Sequence, residues 1–108
     1  MQVIVESKEM QVTPAIQEHA LKQARKVGKV CEKVLRIRLF LETIKKKRND
    51  PTANVVTYTV EMPGVNAVVS ARAADMYQAI TKASDAAARR VRKELDKIRT
   101  LHRTPAVA

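Results

Sequence analysis

Three consecutive segments in the middle of this chain alternate apolar and polar side chains, and they constrain its fold more than any other feature. The segments are residues 34–44, residues 54–62 and the stretch around residues 67–73. In the first segment, the side chains predicted to point inward are Leu35, Ile37, Leu39 and Leu41. A period of two is typical of strands with one buried and one solvated face. Because turn-rich connections separate the segments, we predict three consecutive antiparallel strands.

Two helical patterns flank these strands. Thr13 and Pro14 form a helix-start signal, since threonine caps helix N-termini and proline suits the first helical position; Gly28 is expected to end that helix. After Asp75, a predicted N-cap, one apolar stripe runs for about six turns. Its members are Met76, Ile80, Ala83, Ala87, Val91, Leu95 and Ile98. With a short β-rich run at residues 2–8, the order is β-α-β-β-β-α, which predicts an α+β sandwich with both amphipathic helices on one face of a four-stranded sheet.

The chain is strongly basic. Its 108 residues include 21 Lys and Arg against 11 Asp and Glu, so the formal net charge is +10. The length fits one domain, and an apolar content of 45% is too high for a disordered basic tail. Such a charge indicates a polyanionic partner: RNA, DNA or an anionic surface. Only 3% of the residues are aromatic, which argues against a module that holds single strands by stacking bases on exposed rings.

The basic side chains of the two helices are expected to form one surface. At about 100° per residue, they fall opposite the apolar stripe of each helix or on its flank. On the first helix they are Lys22, Arg25, Lys26 and Lys29, and on the last helix they are Lys82, Arg89, Arg90, Lys93 and Lys97. The basic loop at residues 45–48 could extend this surface. Because solubility alone would use both signs of charge, we predict that the surface binds nucleic acid or a ribosome.

Two residues of the last helix have a second interpretation. Arg89 has i,i+4 spacing from Asp85 and could belong to an ordinary surface ion pair. Tyr77 is a candidate RNA contact, but it could equally be a partly buried residue at the start of the helix.

The chain lacks the usual sequence signatures of catalysis. Its two glycines, Gly28 and Gly64, lie far apart and form no phosphate-binding loop. His19 and His102 have no metal-ligand spacing with Cys31. We therefore predict a protein that is not an enzyme and has no cofactor, no metal site and no small-molecule substrate.

No segment predicts export or membrane insertion. The N-terminal residues are charged by Glu6, and no apolar run approaches the ~20 residues that a membrane span needs. The single cysteine, Cys31, cannot form an internal disulfide and is expected to be a small, partly buried hydrophobe. We predict a cytoplasmic location without membrane contact.

Several short motifs resemble a known family. The sequence begins with MQV at residues 1–3, SK at residues 7–8 and VTPAI at residues 12–16. This opening is similar to that of the ribosome hibernation-promoting factors, a family that includes the ribosome-associated inhibitor protein and has also been labelled sigma-54 modulation proteins. Residues 75–80, DMYQAI, resemble the family motif that opens the last helix. The order and spacing of the elements match the family over residues 1 to about 100.

The resemblance implies a β-α-β-β-β-α fold and binding to the small (30S) ribosomal subunit and its 16S rRNA. It also implies a mechanism, in which the protein occupies the decoding channel, excludes tRNA and mRNA, and keeps ribosomes inactive in stationary phase or stress. The positions that match basic positions of the family are Lys26, Lys29, Arg89, Lys93 and Lys97. Ala86 and Val30 depart from it, since members often have lysine and an aromatic residue there.

We expect residues 1–103 to form a single ribosome-binding domain that is monomeric off the ribosome, followed by a frayed tail at residues 104–108. The chain resembles a short factor, without the extra C-terminal domain or the acidic tail of other types. Two alternatives stay open: a generic double-stranded RNA-binding module, and a protein-interaction module that modulates sigma-54 transcription.

Overall fold

The computed structural model describes residues 1–8, 10–44 and 53–103, with side chains described up to residue 97. Its elements are β1 (Gln2–Lys8), α1 (Pro14–Gly28), β2 (Arg36–Thr43), β3 (Asn54–Met62), β4 (Val65–Ala73) and α2 (Met76–Arg103). The predicted β-α-β-β-β-α order and α+β class are confirmed. The basic loop at residues 45–48 and the tail at residues 104–108 lie outside the described residues.

The four strands form one sheet in the order β1-β2-β3-β4. β2, β3 and β4 pair antiparallel, as predicted, and Leu39 lies opposite Tyr58 in that register. β1 pairs parallel with β2, with Val3 opposite Ile37. A parallel pair needs a long crossover connection, and α1 supplies it.

Both helices begin at the predicted caps. Thr13 Oγ1 accepts the N–H of Ile16 at 3.2 Å, and the carboxylate of Asp75 accepts the N–H of Tyr77 at 3.1 Å. Each bond satisfies one N–H group that has no partner inside its helix. α1 ends at Gly28, where an added side chain would displace the end of the flexible Met1 side chain.

The core lies between the sheet and the two helices. The largest fully buried side chains include Tyr58, Ile37 and Leu39 from the sheet and Ile80 from α2. The Tyr58 hydroxyl hydrogen-bonds to Ser84 Oγ at 2.6 Å, and Ser84 donates to the Ile80 carbonyl at 2.7 Å. Burial raises the pKa of Tyr58 to about 12. These two hydrogen bonds satisfy the buried hydroxyl groups of Tyr58 and Ser84, and the first of them links β3 to α2.

The opposite surface of the sheet, the outer sheet face, is not covered by either helix. It carries the alternate residues of each strand, among them Phe40, Thr57, Thr59, Val68 and Arg72. Thr57 and Thr59 are half-buried and Arg72 is exposed, in agreement with the prediction that this face meets water.

The inward position predicted for Leu35 is wrong. Its side chain is 60% exposed, because β2 begins one residue later, at Arg36. The Leu35 N–H still donates to the Glu61 carbonyl at 2.8 Å. The backbone of Leu35 is therefore paired with β3, although its side chain does not follow the inward-outward alternation of β2.

Within the described ranges, neither helix contains an apolar stretch long enough to span a bilayer.

Candidate nucleic-acid interface

α1 and α2 lie side by side and run in the same direction. Near the start of both helices, His19 of α1 contacts Tyr77 and Thr81 of α2. Near the end of α1, Val30 lines a groove together with Leu95 of α2. The outward surfaces of the two helices therefore form one continuous face, as the sequence predicts.

Every residue predicted to contact rRNA has an exposed side chain. These residues are Lys22, Arg25, Lys26, Lys29, Tyr77, Lys82, Arg89, Arg90, Lys93 and Lys97. Their exposure agrees with a binding role, and that role itself stays a prediction.

A groove runs between the two helices. Its basic lining residues are Lys26 from α1, Lys29 at the C-cap of α1, and Arg89 and Arg92 from α2. Val30 contributes apolar surface between them. We call this feature the interhelix groove. Asp85 and Asp96 of α2 also line it. A phosphodiester chain that follows the groove would therefore meet four cations, from both sides of the groove, and two carboxylates on the α2 side.

Arg92 was missed as a site residue by the sequence reasoning. It is exposed and lines the interhelix groove, although it lies only about 100° from Val91 of the buried stripe. That angle places it on a flank of α2. The sequence could not say which flank of α2 faces α1, so it offered no reason to choose Arg92.

Arg90 and Lys97 differ from the other basic residues, because both pair with Glu94. Arg90 Nε lies 3.1 Å from Glu94 Oε1, and Lys97 Nζ lies 3.6 Å from the same oxygen. The Arg90 hydrogen bond lowers the pKa of the Glu94 carboxyl against the opposing effect of burial, and the charge of Lys97 adds to the lowering. The charges of Arg90 and Lys97 are therefore partly compensated within the helix.

The i,i+4 pair that the sequence allowed between Asp85 and Arg89 is not formed. Among the described residues, neither side chain takes part in an ion pair. The same holds for the other basic side chains of the helix pair up to residue 97, apart from Arg90 and Lys97. We call this set the basic helix face; its members are Lys22, Arg25, Lys26, Lys29, Lys82, Arg89, Arg92 and Lys93.

Tyr77 is neither buried nor fully free. It is 39% exposed, and its ring packs edge-to-face against His19 with the centroids 5.4 Å apart and the planes 62° apart. His19 Nε2 lies 3.3 Å from the Tyr77 carbonyl oxygen and 3.1 Å from Thr81 Oγ1. The sequence did not connect His19 with Tyr77, because the two residues meet only across the helix pair.

Comparison with known proteins assigns this architecture to a family. The chain is 27% identical over 105 residues to a ribosome hibernation promoting factor from Acinetobacter guillouiae, covering 94% of this chain and 89% of that protein.

Two solved structures share the fold. The Thermus thermophilus Protein Y N-terminal domain superposes with a TM-score of 0.73 at 22% identity, covering 86% of this chain and 98% of that one. A ribosomal subunit interface protein from Coxiella burnetii has a TM-score of 0.69 at 19% identity, covering 93% of this chain and 99% of that one.

The family model described as sigma 54 modulation protein / S30EA ribosomal protein matches residues 3–99, which include all of β1 except Gln2, all of α1, β2, β3 and β4, and most of α2. The chain therefore belongs to the sigma 54 modulation protein / S30EA ribosomal protein family.

Proposed function

We propose that this protein is a ribosome-associated translation inhibitor. It binds the 30S subunit in the decoding channel, excludes tRNA and mRNA, and holds ribosomes inactive in stationary phase or stress. The observation that carries the proposal is the basic helix face, whose cations have no acidic partner among the described residues. The names of its relatives, a ribosome hibernation promoting factor and a ribosomal subunit interface protein, support the same partner.

The binding energy comes mainly from 16S rRNA phosphates. When lysine and arginine neutralise phosphates, the counterions condensed on the RNA are released, and this release favours the complex. The interhelix groove and the cations beside it supply such contacts from two helices that are fixed on one sheet. Arg90 and Lys97, already paired with Glu94, contribute less than the basic helix face.

The chemistry is occlusion rather than catalysis. The domain predicted over residues 1–103 acts by occupying the channel, and recognition depends on the folded shape of rRNA more than on the reading of base edges. The proposed action needs no cofactor, metal, membrane or small-molecule substrate, and the protein acts in the cytoplasm and is monomeric off the ribosome.

Co-sedimentation with purified 30S subunits tests the proposal, with initiator tRNA as competitor. Binding that tRNA displaces supports the decoding channel, whereas binding that tRNA leaves unchanged would move the site elsewhere on the subunit. A bare RNA duplex is the control. If it binds as tightly as the subunit, the protein is a generic double-stranded RNA binder.

A further inference from the structure

The three aromatic side chains of this protein lie in three different environments. Tyr58 is fully buried, and Phe40 is 37% exposed on the outer sheet face. Tyr77, 39% exposed, is the aromatic side chain of the helix face. The chain contains no tryptophan. A single ring is therefore available next to the basic helix face.

Tyr77 is held on both its backbone and its ring. Its N–H donates to Asp75, and its carbonyl accepts the Thr81 hydroxyl at 3.0 Å. His19 reaches across from α1, contacts the same carbonyl at 3.3 Å and packs edge-to-face on the ring. An aromatic side chain fixed in this way loses little further conformational freedom when it binds a ligand.

The exposed part of Tyr77 borders a shallow depression on α2. Gln78, Thr81 and Lys82 line the rest of it. Lys82 belongs to the basic helix face, so the depression continues the surface proposed to bind rRNA. An aromatic ring and a lysine that line the same depression offer a stacking surface and a phosphate contact side by side.

We propose that Tyr77 stacks on one unpaired RNA nucleobase, with Lys82 pairing a phosphate of the same strand and His19 acting as a positioning residue. The inference rests on the proposed function and adds the chemical class of one contact: a nucleotide outside a helix. The low aromatic content of the chain excludes a row of stacked bases but allows one.

The occupant is a nucleobase rather than an apolar peptide side chain, because Lys82 lines the depression while the neighbouring Asp75 carboxylate is already engaged as the cap of α2. Lys22 lies one turn beyond His19 on α1, and Lys82 lies at the edge of the depression. A partner at this position must carry negative charge next to a flat apolar surface, and an unpaired nucleotide does so.

Affinity for 30S subunits at fixed salt is the first measurement. Tyr77→Ala should weaken binding about 5- to 150-fold, the range expected for one stacked base. Tyr77→Phe and Tyr77→Trp keep a ring and should bind like the wild type. Gln78→Ala changes the same depression without removing a ring and serves as the matched control. His19→Ala should weaken binding less than Tyr77→Ala.

The salt dependence separates stacking from charge. Tyr77→Ala should lower the affinity without changing the slope of affinity against salt, whereas Lys82→Ala should reduce the slope by about one. Thermal melting of each variant checks the fold. Should Tyr77→Ala unfold, Tyr77→Leu keeps an apolar side chain without a π-face and gives the same test.

Acylation of rRNA 2′-hydroxyl groups reports the contact directly, since it detects mobile nucleotides. With saturating protein, one unpaired nucleotide should lose reactivity with the wild type, Tyr77→Phe and Tyr77→Trp, but not with Tyr77→Ala. The same nucleotide pattern with wild type and Tyr77→Ala, or equal affinities, would overturn the inference and leave the proposed function intact. A wild-type protein that does not bind 30S subunits would overturn both.

Discussion

The two large faces of this molecule carry positive charge in different ways. On the basic helix face, no lysine or arginine has an acidic partner among the described residues. On the outer sheet face, Arg36 Nε lies 3.2 Å from Glu61 Oε2, and Arg38 Nε lies 4.0 Å from the same atom. Threonines and the partly exposed Phe40 lie nearby. Both faces contain cations, but two of the three outer-face arginines share Glu61 and only Arg72 has no acidic partner among the described residues, whereas all eight members of the basic helix face have none.

This difference shows why net charge is a poor guide to a binding site. A cation that already has a carboxylate partner must give up that interaction before it contacts a phosphate. The formal charge of +10 therefore indicates a polyanionic partner but not the face it binds. The ion pairs within each face indicate which face has cations available for a phosphate.

Salt gives the largest expected effect. If the helix face contacts about six to ten phosphates, affinity for 30S subunits should fall by roughly 10³- to 10⁵-fold between ~50 and ~200 mM salt. Filter binding across that range measures the slope. An affinity that does not change with salt would show that neither the paired nor the unpaired cations contribute to 30S binding.

Charge reversal on the two faces compares them directly. Arg89→Glu with Lys93→Glu on the helix face should weaken 30S binding on the order of 100-fold, because two phosphate contacts become repulsions. Arg38→Glu with Arg72→Glu on the outer sheet face changes the net charge by the same amount and should have little effect. Equal losses for the two double variants, with both folded by circular dichroism, would contradict the assignment of the site.

A smaller comparison lies within α2. Arg92→Ala should lower 30S affinity about tenfold, since it removes a charged hydrogen-bond donor from the interhelix groove. Arg90→Ala removes the same charge from the Glu94 pair and should cost clearly less. Titration of both variants against 30S subunits at one salt concentration decides between them. A larger loss for Arg90→Ala would mean that the flank of α2 away from α1 is the one in contact.

The smallest effect concerns Glu94 and pH. Its pKa is lowered in the folded protein, so the unfolded chain takes up a proton at higher pH than the folded one. The stabilisation is present above the ordinary carboxyl pKa of 4.5 and is lost as pH falls through the lowered value. Melting temperatures measured from pH 7 to pH 3 should fall more for the wild type than for Glu94→Gln. Parallel curves would show that this ion pair does not contribute.

Much of the fold is readable from local patterns, because each pattern has a local physical cause. Thr13 and Asp75 cap helices through bonds to residues two or three positions away, and strand alternation reflects one buried face. The parallel pairing of β1 with β2 has no such local signal, because it depends on where the α1 crossover returns the chain. Leu35 was misplaced since periodicity does not say at which residue a strand begins.

The sequence predicts which basic residues belong to the candidate site, but not how they are paired or arranged. Asp85 and Arg89 have the same spacing as Arg90 and Glu94, yet only the second pair forms. Burial is the difference: Glu94 is 8% exposed and needs a partner, whereas Asp85 is exposed to water. Burial, like the position of Arg92 in the interhelix groove, follows from tertiary packing.

The parallel pairing of β1 also has a consequence for the order of folding. β2, β3 and β4 follow one another in the sequence and pair with their neighbours. The pairing of Gln2 with Arg36, in contrast, closes a loop that contains all of α1. No residue of β1 is fully buried, so this edge strand gains least from early docking. Closing a loop of this length costs conformational entropy before the contacts between β1 and β2 form and offset that cost. β1 is therefore expected to join the sheet last.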